Sequence, residues 1–133
     1  MFDRASLEAA ASLVYRHIPA TPQYMWPLLA ARTHCEVWIK HENHTPTGAF
    51  KVRGGIVYID SMLRSGQRPA GIISATRGNH GQSLAFAGRS AGLPVTVVVP
   101  YGNSAEKNAA MRAFGAELIE HGRDFDEARE ETL

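Results

Sequence analysis

Residues 71–99 read GIISATRGNHGQSLAFAGRSAGLPVTVVV, and their rhythm decides the architecture. Gly71-Ile72-Ile73-Ser74-Ala75 is a short apolar run without breakers, as a strand requires. A helical stretch from about His80 to Ala91 follows, with Leu84, Ala87 and Ala91 inward, and Gly92 ends it. Pro94 then opens a second strand, Val95-Thr96-Val97-Val98-Val99, whose unbroken apolar character predicts burial on both faces. The same unit repeats downstream. Ser104 to Phe114 reads as a helix, Gly115 as its C-cap, Glu117-Leu118-Ile119 as a strand, and Asp124 onward as a helix that runs to the chain terminus.

Upstream, Val52, Ile56, Ile59, Met62 and Leu63 share one helical face from Phe50 to the stop at Gly66. Glu36-Val37-Trp38-Ile39-Lys40 predicts a strand, and His41 to Gly48 a polar loop. Before them lie a helix from Ser6 to Tyr15, with Ser6 as N-cap and Leu7, Ala10, Ala11 and Val14 inward, a turn at Thr21-Pro22 and a short helix from Leu28 to Arg32. Strands of four or five residues alternating with longer helices are the pattern of βαβ units. The predicted class is therefore α/β, a doubly wound parallel sheet with helices on both faces in three layers.

Composition narrows the function. With 44% hydrophobic and 20% charged residues among 133, the chain is that of a folded globular protein, neither disordered nor a coiled coil. Fourteen basic residues against 13 acidic ones leave no electrostatic footprint for nucleic acid or an anionic membrane. The single cysteine, Cys35, cannot form an internal disulfide and reads as a small buried apolar residue. The absence of a basic-then-apolar N-terminal run predicts a cytoplasmic protein, and no stretch is long enough for a membrane span.

Ligands of open α/β sheets bind beyond the carboxyl ends of the strands. Two loops there carry unusual residues. Thr45-Pro46-Thr47-Gly48-Ala49-Phe50-Lys51 delivers a lysine to a predicted helix start, where the partial positive charge of the helix favours the neutral, nucleophilic amine. Only three lysines occur, Lys40, Lys51 and Lys107. The alternative is an ordinary surface lysine with its stem along apolar surface. Thr76-Arg77-Gly78-Asn79-His80-Gly81-Gln82 follows a strand and opens a helix, so its free N–H groups suit a carboxylate or phosphate; a plain turn is the alternative. The spacing matches neither the dinucleotide fingerprint nor the P-loop.

Lys40-x-Glu42, Thr47-Gly48-Ala49-Phe50-Lys51-x-Arg53-Gly54 and Gly78-Asn79-His80-Gly81-Gln82, with Thr21-Pro22 before and Lys107…Gly115-Ala116-Glu117 after, together resemble the fold-type II pyridoxal-phosphate enzymes, in the serine/threonine dehydratase and serine racemase branch. His80 tilts the resemblance toward dehydratases, because the related synthases resemble Gly-Asn-Thr in that loop. The resemblance implies pyridoxal 5'-phosphate as cofactor, with Lys51 forming the internal aldimine and later taking the Cα proton. It implies Phe50 beside the ring, Asn79 on the cofactor's 3′-oxygen, and Thr76, Gly78, Asn79 and His80 around the substrate carboxylate. The implied reaction is β-elimination from an L-threonine- or L-serine-type hydroxy amino acid to a 2-oxoacid and ammonia, in a homo-oligomer. Alternatives are serine racemase, threo-3-hydroxyaspartate ammonia-lyase, or a non-catalytic remnant or binding module.

The resemblance also implies a division into residues 1–51, part of the large cofactor domain, and 52–133, most of the small α/β domain. The cofactor's phosphate loop and the partner of its pyridine nitrogen have no counterpart here, so a truncated, inactive portion is expected. Two residues depart from the pattern. Ala49 replaces a serine, and Arg77 stands where racemases carry a proton-donating serine, disfavouring racemisation. His34, Cys35, His41, Glu42 and His44 do not have the spacing of a closed zinc set, so no metal is expected. Lys40 and Glu42 read as a strand-end ion pair, Tyr24, Met25, Trp26 and Trp38 as core or interface packing, and residues 123–131 as a solvated helix face.

Overall fold

A computed structural model describes residues 3–133. The elements run α1 (Arg4–Val14), β1 (Gln23–Met25), α2 (Pro27–Thr33), β2 (Trp38–Lys40), a 3-10 turn (Glu42–His44), α3 (Lys51–Arg64), β3 (Ile72–Ala75), α4 (Asn79–Ala91), β4 (Val95–Val99), α5 (Ala105–Ala113), β5 (Glu117–Glu120) and α6 (Phe125–Glu130). Strands β3, β4 and β5 form a parallel sheet in that order, with Ile72 opposite Val95 and Val97 opposite Leu118. This is the predicted α/β architecture. The valines of β4 show why it sits centrally. Val95, Val97 and Val99 pack with Leu84 and Ala85 of α4 and Met111 of α5, while Val98 is equally buried on the other face, where α6 lies against β3 and β4.

Helix α4 lies close to the sheet because its inner face is glycine. A Cβ at Gly81 would fall on Met111 Sδ and lie 2.6 Å from Thr76 Cγ2, and one at Gly88 would fall on Val95 Cγ2 and lie 3.1 Å from the Leu93 carbonyl oxygen. Gly92 ends the helix in the left-handed conformation at φ 70°. A second core joins Leu13 and Val14 of α1 and Ile18 to Val52, Ile56 and Ile59 of α3 and Ala87 of α4.

Several expectations are corrected. Strands β1 and β2 are antiparallel and form a sheet of their own, Tyr24 opposite Ile39. The segment expected as one strand from Glu36 therefore pairs outside the parallel sheet, and β1 lies just after the Thr21-Pro22 turn, where the sequence predicts no element. Helix α1 starts earlier because Asp3, not Ser6, is the N-cap; Ser6 sits at the third helical position and closes a reciprocal capping box with Asp3. Leu7 and Ala91, expected inward, are exposed, as are Tyr24, Met25, Trp26 and Trp38. Cys35 is exposed rather than buried. Lys40 does not pair with Glu42 but donates to the Thr21 carbonyl at 3.2 Å. At the other end, Asp124 caps α6 as expected, and the helix stops at Glu130. The pairs Arg123–Glu127 and Arg129–Asp126 make it the solvated face that the charges predict. Among the described residues no helix is long and apolar enough to cross a membrane.

Candidate cofactor and substrate site

The turn that presents Lys51 is built from its threonines. Buried Thr45 accepts the Ala49 N–H at 3.0 Å and donates to the Ala49 carbonyl at 2.9 Å; buried Thr47 donates to the same carbonyl at 3.3 Å. Gly48 turns the chain at φ 64°, a conformation that glycine adopts without strain. Phe50 is 63% exposed, and Lys51 is the first residue of α3.

The ends of this segment are pinned. Arg53 donates to both Glu42 oxygens, Nε to Oε2 at 2.7 Å and Nη2 to Oε1 at 3.0 Å, while Thr21 donates to Oε1 at 2.6 Å. The Arg53 guanidinium holds the Glu42 carboxyl below its ordinary value, against an opposing effect of burial. The carboxylate in turn raises Arg53. A fork-shaped pair of this kind fixes direction as well as distance. The Arg53 guanidinium also lies 5.8 Å from the centroid of the Tyr15 ring, extending the clamp to the segment after α1.

A second tie connects Lys51 to α4. Ser83 Oγ donates to the Lys51 carbonyl at 2.6 Å, and Gly55 lets the two helices approach, since a Cβ there would fall on Ser83 Oγ and lie 2.9 Å from its carbonyl oxygen. The closeness of α3 and α4 brings Lys51 beside His80. Phe50, Lys51, Tyr58, His80 and Leu84 line one concavity of about 350 Å³. Partial burial, and after it the Lys51 ammonium, push the His80 imidazole below its ordinary value even though the residue stands at the surface. At neutral pH His80 is therefore an uncharged donor and acceptor.

The loop before α4 is held from below and open above. Thr76 is buried; its N–H continues the sheet to the Val98 carbonyl at 3.0 Å, and its hydroxyl accepts the Gly78 N–H at 3.3 Å. No side chain caps α4, so the amides of its first turn remain available to a ligand. Asn79 begins the helix and is exposed, with no side-chain hydrogen bond among the described residues. Gly78 has φ 171°, extended backbone open to any residue; a Cβ there would lie 2.7 Å from Lys107 Cδ, part of a stem that can swing aside.

The fold thus brings Phe50, Lys51 and His80 into one concavity and lays Thr76, Gly78, Asn79 and His80 consecutively along the open start of α4. Sequence reasoning missed Ser83, which carries no signal inside an otherwise ordinary helical pattern. It also missed the Glu42–Arg53 pairing; a carboxylate and an arginine flanking the lysine turn were visible, but their contact was not. Among the described residues no cluster of side chains suited to a metal ion occurs.

Residues 14–133 match the family described as "Pyridoxal-phosphate dependent enzyme". The chain is 38% identical to the biosynthetic L-threonine dehydratase of Haemophilus influenzae over 122 residues, which are 92% of this chain and 24% of that protein. It thus spans about a quarter of that relative's length. The fold superposes on a pyridoxal 5'-phosphate-dependent aspartate racemase with a TM-score of 0.85 at 30% identity, covering 96% of this chain and 41% of that one. The processed threonine deaminase isoform 2 of Solanum lycopersicum gives a TM-score of 0.82 at 28% identity, covering 99% of this chain and 40% of that one. With matching sequence over residues 14–133 and a matching fold, the chain belongs to the pyridoxal-phosphate-dependent enzyme family, in its α/β fold-type II form.

Proposed function

We propose that the chain forms the lysine-bearing side of an ammonia-lyase that converts an L-threonine- or L-serine-type hydroxy amino acid to a 2-oxoacid and ammonia. The observation that carries this reading is the seam between α3 and α4, which sets the exposed Lys51 amine and the uncapped start of α4 around one concavity. The donor set suits pyridoxal phosphate. It offers a primary amine with no carboxylate within 4 Å among the described residues, an adjoining aromatic ring and an unengaged amide side chain. When bound, the cofactor supplies an electron sink that makes the substrate Cα proton acidic.

The chain's own residues do the rest. Lys51 would hold the cofactor through Nζ and would accept the Cα proton at that same atom. Phe50 would lie beside its ring, and Asn79 would hydrogen-bond its 3′-oxygen. Thr76, Gly78, Asn79 and His80 form the carboxylate seat, in which α4 amides complement the negative charge. Neutral His80 contributes hydrogen bonding there without competing as a second cation. Loss of the β-hydroxyl as water, followed by hydrolysis, yields the 2-oxoacid and ammonia.

The division at Lys51, residues 1–51 with a large domain and 52–133 as most of a small one, agrees with two sheets that share no strand. Exposed Tyr24, Trp26, Leu28 and Trp38 support a homo-oligomer.

The test is to mix the chain with pyridoxal phosphate, reduce with borohydride, and map the added mass by peptide mass spectrometry, with Lys51→Ala alongside. Modification of Lys51 in preference to the other lysines, saturating with cofactor, supports the reading. Equal labelling of Lys40, Lys51 and Lys107 overturns it.

A further inference from the structure

Gly78, at the start of α4, lies under the side chain of a neighbouring helix. Lys107, at the third position of α5, runs its stem over the Gly78 Cα; the position of a Cβ there lies 2.7 Å from Lys107 Cδ and 3.3 Å from both Cε and Nζ. The backbone fixes where that stem begins, because the Lys107 N–H is bonded to the N-capping hydroxyl of Ser104. Topology explains the meeting. Strands β3 and β4 are adjacent and parallel, so the loops that leave their carboxyl ends into α4 and α5 lie side by side.

The charge placement is unusual. A lysine in the first turn of a helix faces the positive end of the macrodipole, and here it also overhangs the positive end of a second helix. No carboxylate among the described residues, that of neighbouring Glu106 included, lies within ion-pair distance of it. A cation held against two helix starts is electrostatically unsatisfied until an anion arrives.

We propose that Lys107 is a positioning residue of the carboxylate seat, its ammonium supplying the side-chain positive charge that the α4 amides alone lack. The inference rests on the proposed role of residues 76–80 and names the group that gives their loop its preference for a carboxylate over a neutral ester.

The test is a backbone-amide NMR titration of the 133-residue chain with sodium acetate and, as the neutral probe, methyl acetate. Wild type should show saturable shifts at Gly78, Asn79, His80 and Gly81 with acetate only, weakening as sodium chloride is raised. Lys107→Met keeps the stem over Gly78 and removes the charge, so the acetate affinity should fall about two- to fivefold, within the range of an exposed charge pair. Lys107→Arg should restore it. A Met variant that binds acetate like wild type, or shifts with no saturation in wild type, overturns the inference. Borohydride labelling of Lys51 separates the two readings. Labelling with acetate binding indifferent to Lys107 defeats this inference alone, whereas Lys107-dependent binding without labelling defeats the proposed function alone.

Discussion

Gly54 and Gly55 are consecutive residues of α3, and substitution by alanine should change stability in opposite directions. A Cβ at Gly54 meets nothing within 4 Å, so Gly54→Ala only removes the backbone freedom that glycine has in the unfolded chain. Stabilisation of about 0.5–1 kcal/mol is expected. At Gly55 the new methyl falls on Ser83 Oγ and lies 2.9 Å from the Ser83 carbonyl oxygen and 3.1 Å from its carbonyl carbon. Rotating the hydroxyl away relieves only the first contact and breaks its 2.6 Å bond to the Lys51 carbonyl, worth about 1 kcal/mol. The backbone contact remains and forces the helices apart, an overpacking cost of about 1–3 kcal/mol. Set against the same helix gain, Gly55→Ala should lose about 1–3 kcal/mol, or roughly 3–12 °C in Tm for a chain of this size.

Thermal unfolding followed by circular dichroism compares the two variants with wild type. Adding Ser83→Ala to Gly55→Ala should recover the hydroxyl part of the loss and leave the backbone part, giving a non-zero coupling in the double-mutant cycle. Borohydride labelling of Lys51 should fall in Gly55→Ala and not in Gly54→Ala, because only the former moves Lys51 against α4. A Gly55→Ala variant at least as stable as wild type refutes the claim that glycine there is required for the approach of the helices.

Glu42→Gln should destabilise by about 1–3 kcal/mol in urea titration at pH 7, because Arg53 loses a charged partner in a largely covered setting. Since the folded Glu42 carboxyl lies below its ordinary value of 4.5, its stabilisation is present above that value and fades as pH falls through the folded one, so wild type and variant should converge in acid. For His80, whose folded value lies below the ordinary 6.5, the unfolded chain takes up the proton first; stability should drop as pH falls below 6.5, and His80→Gln should flatten that part of the pH profile. Gly122→Ala, at φ 80° and with its Cβ 2.6 Å from Glu127 Cβ, should cost about 1–3 kcal/mol by the same unfolding measurement.

The parallel sheet was legible because each of its strands is bounded by a residue with one meaning: Gly92 and Pro94 before Val95, Gly115 before Glu117. The valines of β4 announced burial on both faces, and Val97 and Val98 are both fully buried. The first forty residues were less legible. Gln23-Tyr24-Met25 lies between Pro22 and Pro27, and its strand character comes from pairing with Trp38–Lys40, a contact that local pattern does not encode. Exposure of the aromatic residues was unreadable for a related reason. A tryptophan signals burial in some interface, and the described residues contain no element that covers Trp38.

The candidate site divides along the same line. The residues proposed to meet ligands stand in loops of distinctive composition, which singles out Lys51 and the run from Thr76 to Gln82, while the resemblance names Asn79 and His80 within that run. The residues that place them are distant in sequence and ordinary in type. Ser83 lies 32 positions from the carbonyl it holds, and Lys107 stands in α5, a different βα unit from the glycine it covers. Placement here is contact-limited. Gly81 and Gly88 set the distance of α4 from the sheet, Gly55 sets the distance of α3 from α4, and the Glu42–Arg53 fork sets the direction from which the lysine turn enters. Each contact leaves little room for compensation, because the obstructing atoms at Gly55 and Gly88 include backbone. A change of a few tenths of an ångström at the seam therefore moves the Lys51 amine and the start of α4 relative to each other, at the scale on which the proposed proton transfer would be sensitive. The proposed site consequently depends as much on three glycines without a functional group as on the lysine that carries one.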